Sequence, residues 1–429
     1  MSDTSKQMRL IGWLAAGPIA YHQGGWRYPS AEHGFLDPAR VAEWAQMLER
    51  AKFDAVFFAD GADFDREYAQ RAHVHLVDLV PLASVIAHET TRIGIGITQN
   101  TTVNEPFNLA RTIGTLDYVS KGRFAWNVVT GGSETEAGKY GKRLLPRAER
   151  YARAAEVVDA AKRLWDSMPS EAVVLDRRSG TFLDTELLEE FTFDGEYVSA
   201  VGPLPVPRSP QGGPVILQAG ASPAGRALAA KYADVVFIMS KTAEQIRDGV
   251  RAVKEEAAKA GRDGKVLVIP AVTVIVAETS EMARQQWGLL NSLVNIDHAI
   301  DSASMLTGLD LRSYPSDMPV VELPENEAGS VGIVRLLKEA AEADELTLAE
   351  AAVAMTNSGI PLLLGNPDEV AAQLESLFAE SEADGFMIHA PVIPGGFEDF
   401  ARMVVPILQD RGVFRAEYEG ETLRQNLFG

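Results

Sequence analysis

Three apolar runs of this chain each end in small polar residues of the kind that hold a polar ligand. Gln99-Asn100-Thr101-Thr102 closes the run at 92–98, Thr130-Gly131-Gly132 closes 123–129, and Gly220-Ala221-Ser222 closes 214–218. The third is the most explicit. Ser222 is placed to cap a helix whose first turn opens with Pro223, a position where proline loses nothing. The small residues before it let another group approach free backbone N–H groups, where the helix dipole favours an anion. A phosphate suits that position; a plain helix cap without a ligand is the alternative these residues leave open.

Further candidates surround those three. Asp60 ends the short apolar run at 54–58, where a carboxylate can accept hydrogen bonds from a ligand or cap its own loop. His22 lies among Tyr21, Trp26 and Tyr28 in an aromatic loop that either lines a pocket for a flat ring or packs on neighbouring loops. Trp126 and Asn127 alternate on one strand, so only one of them faces inward. His73, His75 and His88 read as packing or surface histidines. Competing motifs are weaker. Residues 132–139 resemble a phosphate-binding loop in composition only, with Tyr140 at the hydroxyl position and no strand–helix context. No GxGxxG fingerprint follows a strand, no HExxH or clustered His/Asp/Glu spacing suggests a metal, and no GxSxG elbow is present.

The elements that must position these residues alternate along the chain. Strands are predicted at 8–16, 54–58, 92–98, 123–129, 214–218, 234–238, 266–276 and 385–389. Helices are predicted at 38–51, 76–88, 107–119, 147–165, 223–232, 243–260, 367–379 and 397–411. Short apolar strands alternating with amphipathic helices indicate βα units, and about eight of them indicate a closed (β/α)8 TIM barrel rather than an open sheet. In such a barrel the carboxyl ends of the strands share one face, which holds the chemistry. Two segments break the rhythm: 168–213, with a hairpin around Asp194-Gly195, and 295–359. Excursions of that length are lids or binding loops, or linkers. The reading is one barrel domain over 1–429 with insertions near 168–213 and 295–359 at the C-terminal face.

The bulk numbers exclude several classes. With 60 acidic against 40 basic residues the net charge is −20, which argues against nucleic acid or an acidic membrane as partner. The chain has no cysteine, so disulfides, thiolate metal sites and cysteine nucleophiles are excluded. No secretory-type leader and no spanning apolar window is apparent, and a cytoplasmic protein is expected.

Several ordered blocks together resemble the nitrilotriacetate monooxygenase group of the bacterial luciferase superfamily. They are FFAD at 57–60, TTVNEPFNLAR at 101–111, LDYVSKGRFAWNVVTG at 116–131, RAERYARAAE at 147–156, and GPLPVPRSPQGGPVILQAGASPAGR at 202–226. The resemblance covers 9–237 and runs more weakly to the C-terminus. It implies a two-component flavin-dependent monooxygenase in which reduced FMN comes from a separate NAD(P)H:flavin reductase. With oxygen, that flavin would oxygenate a small organic substrate through a flavin 4a-hydroperoxide, so no protein nucleophile is required. By motif position Asp60, Thr102 and Tyr151 contact the flavin, while Ser222 with Gly220 and Ala221 holds the phosphate. His22 and Asn100 are candidates for the substrate side. Arg147 stands where the group often has a histidine, four residues before the tyrosine, and its guanidinium suits a phosphate bidentately. Val80 stands where a glutamate is common. A deazaflavin-dependent oxidoreductase of the same superfamily, a non-catalytic flavin-binding protein and a phosphate-binding barrel isomerase are the alternatives. A homodimer or tetramer is expected.

Overall fold

Asp54, Asp234 and Asp384 each stand just before an apolar strand, and each carboxylate accepts the N–H of the second residue of the neighbouring strand. Asp54 takes Leu10 N–H (2.8 Å), Asp234 takes Ile216 N–H (2.9 Å), and Asp384 takes Val268 N–H (2.8 Å). These pins fix how strands begin side by side at one end of the molecule. The computed structural model describes residues 6–17, 22–62, 64, 66–70, 72, 74–220, 222–307, 309–323, 346–355 and 359–429.

The strands are β1 (Arg9–Leu14), β2 (Ala55–Phe58), β3 (Gly94–Asn100), β4 (Phe124–Val129), β5 (Val215–Ala219), β6 (Val235–Ile238), β7 (Leu267–Val276) and β8 (Gly385–His389). Each pairs in parallel with the next, and β8 pairs back onto β1, closing the barrel. The register shows the closure. Walking through β3, β2, β1 and β8 carries Phe124 to Val272, an offset of 148, whereas walking through β5 and β6 carries Asn127 to Leu267, an offset of 140. The two routes differ by eight residues, the stagger of a (β/α)8 barrel.

Eight helices follow the eight strands: α1 (Pro38–Arg50), α2 (Leu79–Glu89), α3 (Pro106–Val119), α4 (Arg147–Asp166), α5 (Pro223–Tyr232), α6 (Ala243–Lys259), α7 (Pro367–Ser381) and α8, which runs from Gly395–Asp399 through a π-helical stretch into Val405–Asp410. Their starts are chemically marked. Asp37 and Asp78 cap α1 and α2, and Asn366 and Glu369 form a reciprocal capping box on α7. Helix α2 begins three residues later than its apolar spacing suggests because Asp78 claims Val80 N–H.

Alternation divides the apolar side chains into two layers. Ile11, Phe57, Ala125, Leu217, Phe237, Ile269 and Met387 fill the barrel interior, and Leu423 and Leu427 of the C-terminal helix Leu423–Phe428 join that cluster. Their strand neighbours, such as Val56, Trp126, Ile216 and Ile388, pack outward against the helices. Trp126 therefore faces out, its indole 6.2 Å from that of Trp165 on α4, and Asn127 faces in.

The first insertion contributes a hairpin to the outer face of the barrel. Its hairpin Phe191–Asp194/Ser199–Gly202 packs along α4, because Glu156 accepts the N–H groups of Glu196, Tyr197 and Val198 at 2.9, 2.8 and 3.1 Å. Arg163 also sits 4.1 Å above the Phe191 ring. The described part of the second insertion, including Ile296–Thr307 and Leu348–Met355, builds its own small core. A further strand, Leu362–Gly365, which the sequence pattern did not single out, extends the sheet from the upper half of β7. A short helix, Glu134–Lys139, follows β4; it fills the stretch that a phosphate-binding loop would leave open and ends at Lys139 rather than starting there.

Candidate functional site

The carboxyl ends of β2 to β5 and the first turns of α4 border one cavity of about 300 Å³, within the range of small-molecule sites. Asp60, Asn100, Gly131, Glu136, Tyr151 and Gln218 are among its lining residues. Asp60, Asn100, Thr130, Gly131 and Tyr151, all singled out from sequence, thus meet in one place although they come from the ends of β2, β3 and β4 and from α4.

Ser222 caps α5 as its position promised: its Oγ accepts Gly225 N–H at 3.2 Å. The Tyr151 hydroxyl lies 3.4 Å from the same oxygen, so two hydroxyls converge on a helix N-terminus at the edge of the cavity. Ala221, like Tyr21 and His73, lies outside the described residues. Gly220 precedes it at the end of β5.

At the opposite end the cavity is acidic. Burial pushes the Asp60 carboxyl up to about 6; Gly61 N–H, 2.9 Å away, opposes this, and the nearby charges of Asp78 and Glu136 add to it. Glu136 ties two loops together, accepting Ala62 N–H (3.2 Å) on one oxygen and Asn100 Nδ2 (3.1 Å) on the other. The Asn100 amide is held at both ends, since its Oδ1 accepts Thr102 N–H at 2.8 Å. Gly131 follows from this packing: it sits at φ +64°, and a Cβ there would lie 2.7 Å from Asn100 Nδ2. Thr102 is buried, and its hydroxyl donates to Thr130 O at 2.6 Å.

Two expected residues stand apart from that cavity. Arg147 is exposed at the first position of α4 and makes no hydrogen bond or ion pair among the described residues. Further down the helix, Arg150 donates to Gly131 O, and Arg153 donates to Thr101 O at 2.5 Å. His22 is buried, with Nδ1 accepting Gly24 N–H (3.0 Å) and Nε2 facing Asn291 Oδ1 (3.1 Å). That pairing selects the neutral Nε2–H tautomer, and burial lowers the ring to about 4. It pins the loop after β1 to the helix Ser280–Ser292, whose Trp287 packs edge-on at 5.2 Å.

The luciferase-like monooxygenase family matches residues 17–385. The chain belongs to that family. It is 37% identical to a dibenzothiophene-sulfone monooxygenase of Rhodococcus erythropolis (strain XP), over 98% of this chain and 96% of that one. It is also 37% identical to component A of the nitrilotriacetate monooxygenase of Aminobacter aminovorans, over 99% and 96% of the two chains. Among solved structures it is similar to a riboflavin lyase crystallised with modified FMN and riboflavin, with a TM-score of 0.85 and 27% identity over 99% of this chain and 96% of that one. As a luciferase-like monooxygenase it is an oxidoreductase that incorporates molecular oxygen.

Glu136 and Arg150 escaped the sequence reading of this luciferase-like monooxygenase. Signals for both were present. Ser133 and Glu136 have the spacing of a helix cap, and Ser133 Oγ accepts Glu136 N–H at 3.1 Å. Arg147, Arg150 and Arg153 recur every three residues, the spacing of one helix face. Among the described residues no helix is long and apolar enough to cross a membrane. Among them no group of three or more His, Asp or Glu is arranged to hold a metal ion.

Proposed function

We propose that this protein is the oxygenase of a two-component system, receiving reduced FMN from a separate NAD(P)H:flavin reductase and oxygenating a small organic substrate with O2. One observation carries the reading: the hydroxyls of Tyr151 and Ser222 meet, 3.4 Å apart, at the N-terminus of α5 on the rim of the cavity that also holds Asp60 and Asn100. The relative named as component A supports a multi-component system, and the riboflavin lyase crystallised with modified FMN supports the cofactor class.

The donor set suits a phosphate-bearing flavin. Ser222, Tyr151 and the first N–H groups of α5, with Gly220 adding no side chain of its own, would hold the phosphate. Arg147, on the same helix face as Tyr151 one turn earlier, would add a charge-assisted pair from the rim. Asp60, half-neutral near pH 6, is suited to a hydrogen bond with the ring edge in either protonation state. Thr102, whose proton is committed to Thr130 O, would offer that ring only lone pairs. Reduced FMN, once bound, would supply the electrons that activate oxygen. Asn100 is assigned to the substrate side, and His22 to holding the β1 loop there without touching substrate. The protein works in the cytoplasm as a homodimer or tetramer.

The test is turnover with FMN, NADH, a flavin reductase and 18O2 on a panel that includes dibenzothiophene sulfone and nitrilotriacetate. The reading predicts label in the product of at least one panel member. Turnover that proceeds without oxygen on a deazaflavin would contradict it.

A further inference from the structure

Gln218 is out of place by the ordinary rules of a barrel. On β5, Leu217 points into the interior and Ile216 packs outward against the helices, so alternation sends Gln218 outward as well. That layer is apolar elsewhere on the strand. The residue is only 4% exposed, yet its amide makes no hydrogen bond among the described residues, and its buried Oε1 is left without a partner. Burying an amide unpaired is costly, and native chains rarely tolerate it without a ligand or water to complete it. The amide borders the cavity that Tyr151, Asn100 and Asp60 share. Room is kept for it, because a Cβ on Gly220 would lie 2.4 Å from Gln218 Nε2.

We propose that Gln218 is a ligand-binding residue that recognises the hydroxyl-bearing chain joining the phosphate of FMN to its ring; this rests on the FMN reading above. Its place in the chain argues for that part of the ligand. Gln218 lies four residues before Ser222, where the phosphate would sit, and lines the same cavity as Asp60 and Asn100 at the ring end. A neutral amide adds no charge to attract a phosphate. Each hydroxyl both donates and accepts, and the two halves of an amide match that pairing. The glycine at 220 then acts twice, opening the backbone to the phosphate and leaving the amide free to face the chain.

The experiment uses the Gln218→Leu variant, which keeps the size and removes the polarity. Binding of FMN, riboflavin and lumiflavin (the ring without the hydroxyl chain) is titrated by flavin fluorescence, and unfolding of the flavin-free proteins is followed in parallel. The variant should bind FMN and riboflavin about tenfold more weakly and lumiflavin as the wild type does. It should also melt higher than the wild type when flavin-free, because an unpaired buried amide has been replaced by an apolar group. A purely structural Gln218 would instead lower the melting temperature. Gly220→Ala should weaken FMN in the same pattern by crowding the amide. Unchanged FMN affinity in Gln218→Leu, or an equal loss for lumiflavin, overturns the assignment while the FMN reading stands. A wild type that binds no flavin removes both.

Discussion

At the amino ends of the strands Arg123 spends its guanidinium on Ser120 O, Thr90 Oγ1, Ile93 O, Ala87 O and Thr90 O. There too, fully buried Asp54 is met by Arg415 at 2.5 Å and by Leu10 N–H. Asp117 is matched by Gln211 Nε2 at 2.6 Å and by the Ser209 hydroxyl. At the carboxyl ends, among the described residues, neither the Gln218 amide nor Arg150 Nε has a hydrogen-bond partner, and Asp60 takes one backbone N–H while facing two like charges. Both ends bury polar groups, and Arg92 Nε is left open at the amino ends, but at the carboxyl ends the open capacity of Gln218 and Asp60 borders the cavity. Buried charge that is saturated belongs to the scaffold; buried polarity left open beside the cavity marks where the luciferase-like monooxygenase expects a ligand.

Breaking the saturated end should have the largest effect. Arg415→Ala leaves the buried Asp54 carboxylate only Leu10 N–H and the more distant Arg9, at 4.0 Å, and should cost about 3 kcal/mol of stability, read from denaturant unfolding. A loss below about 1 kcal/mol would mean that the amino end is not the scaffold described. At the open end, Asp60 should weigh against folding in a defined pH window. Its folded pKa is raised, so the stability associated with its proton is intact below the ordinary carboxylate range and is lost as pH rises through about 6. Asp60→Asn should therefore become more stable than the wild type as pH climbs from about 4 to 6, with the gap holding above. Partial exposure reduces that gap to about 1–2 kcal/mol. Parallel melting curves across that range would contradict it. Ser222→Ala should cost the flavin-free protein about 1 kcal/mol as a lost cap, measured by unfolding, and should weaken FMN about tenfold, or about 1.4 kcal/mol. Arg147→Ala should be the mildest. Stability should stay within about 0.5 kcal/mol, and FMN affinity should fall two- to threefold at low salt, with the difference fading as salt is added.

The same contrast explains what could be read from sequence. The barrel was legible because each strand is an apolar run with a clear stop, and Ser222 because a capping serine before Pro223 is a local signal. The aspartates before β2, β6 and β8 were visible, but their work is done on a neighbouring strand. His22 looked like a pocket residue because its second partner, Asn291, lies 269 positions away. Gln218 was hidden for the opposite reason: its significance is that no described residue hydrogen-bonds its amide, and no local pattern records a missing partner. Arg147 drew attention by motif spacing, whereas Arg150, three residues on, reaches the end of β4.

The central claim is that the turn before α5 grips a phosphate, and equilibrium titration of the wild type and Ser222→Ala with FMN and riboflavin tests it most directly. The account predicts that the wild type binds FMN at least about tenfold more tightly than riboflavin and that the substitution removes most of that preference. Equal affinities for the two flavins in the wild type, or a preference that survives in Ser222→Ala, would contradict it.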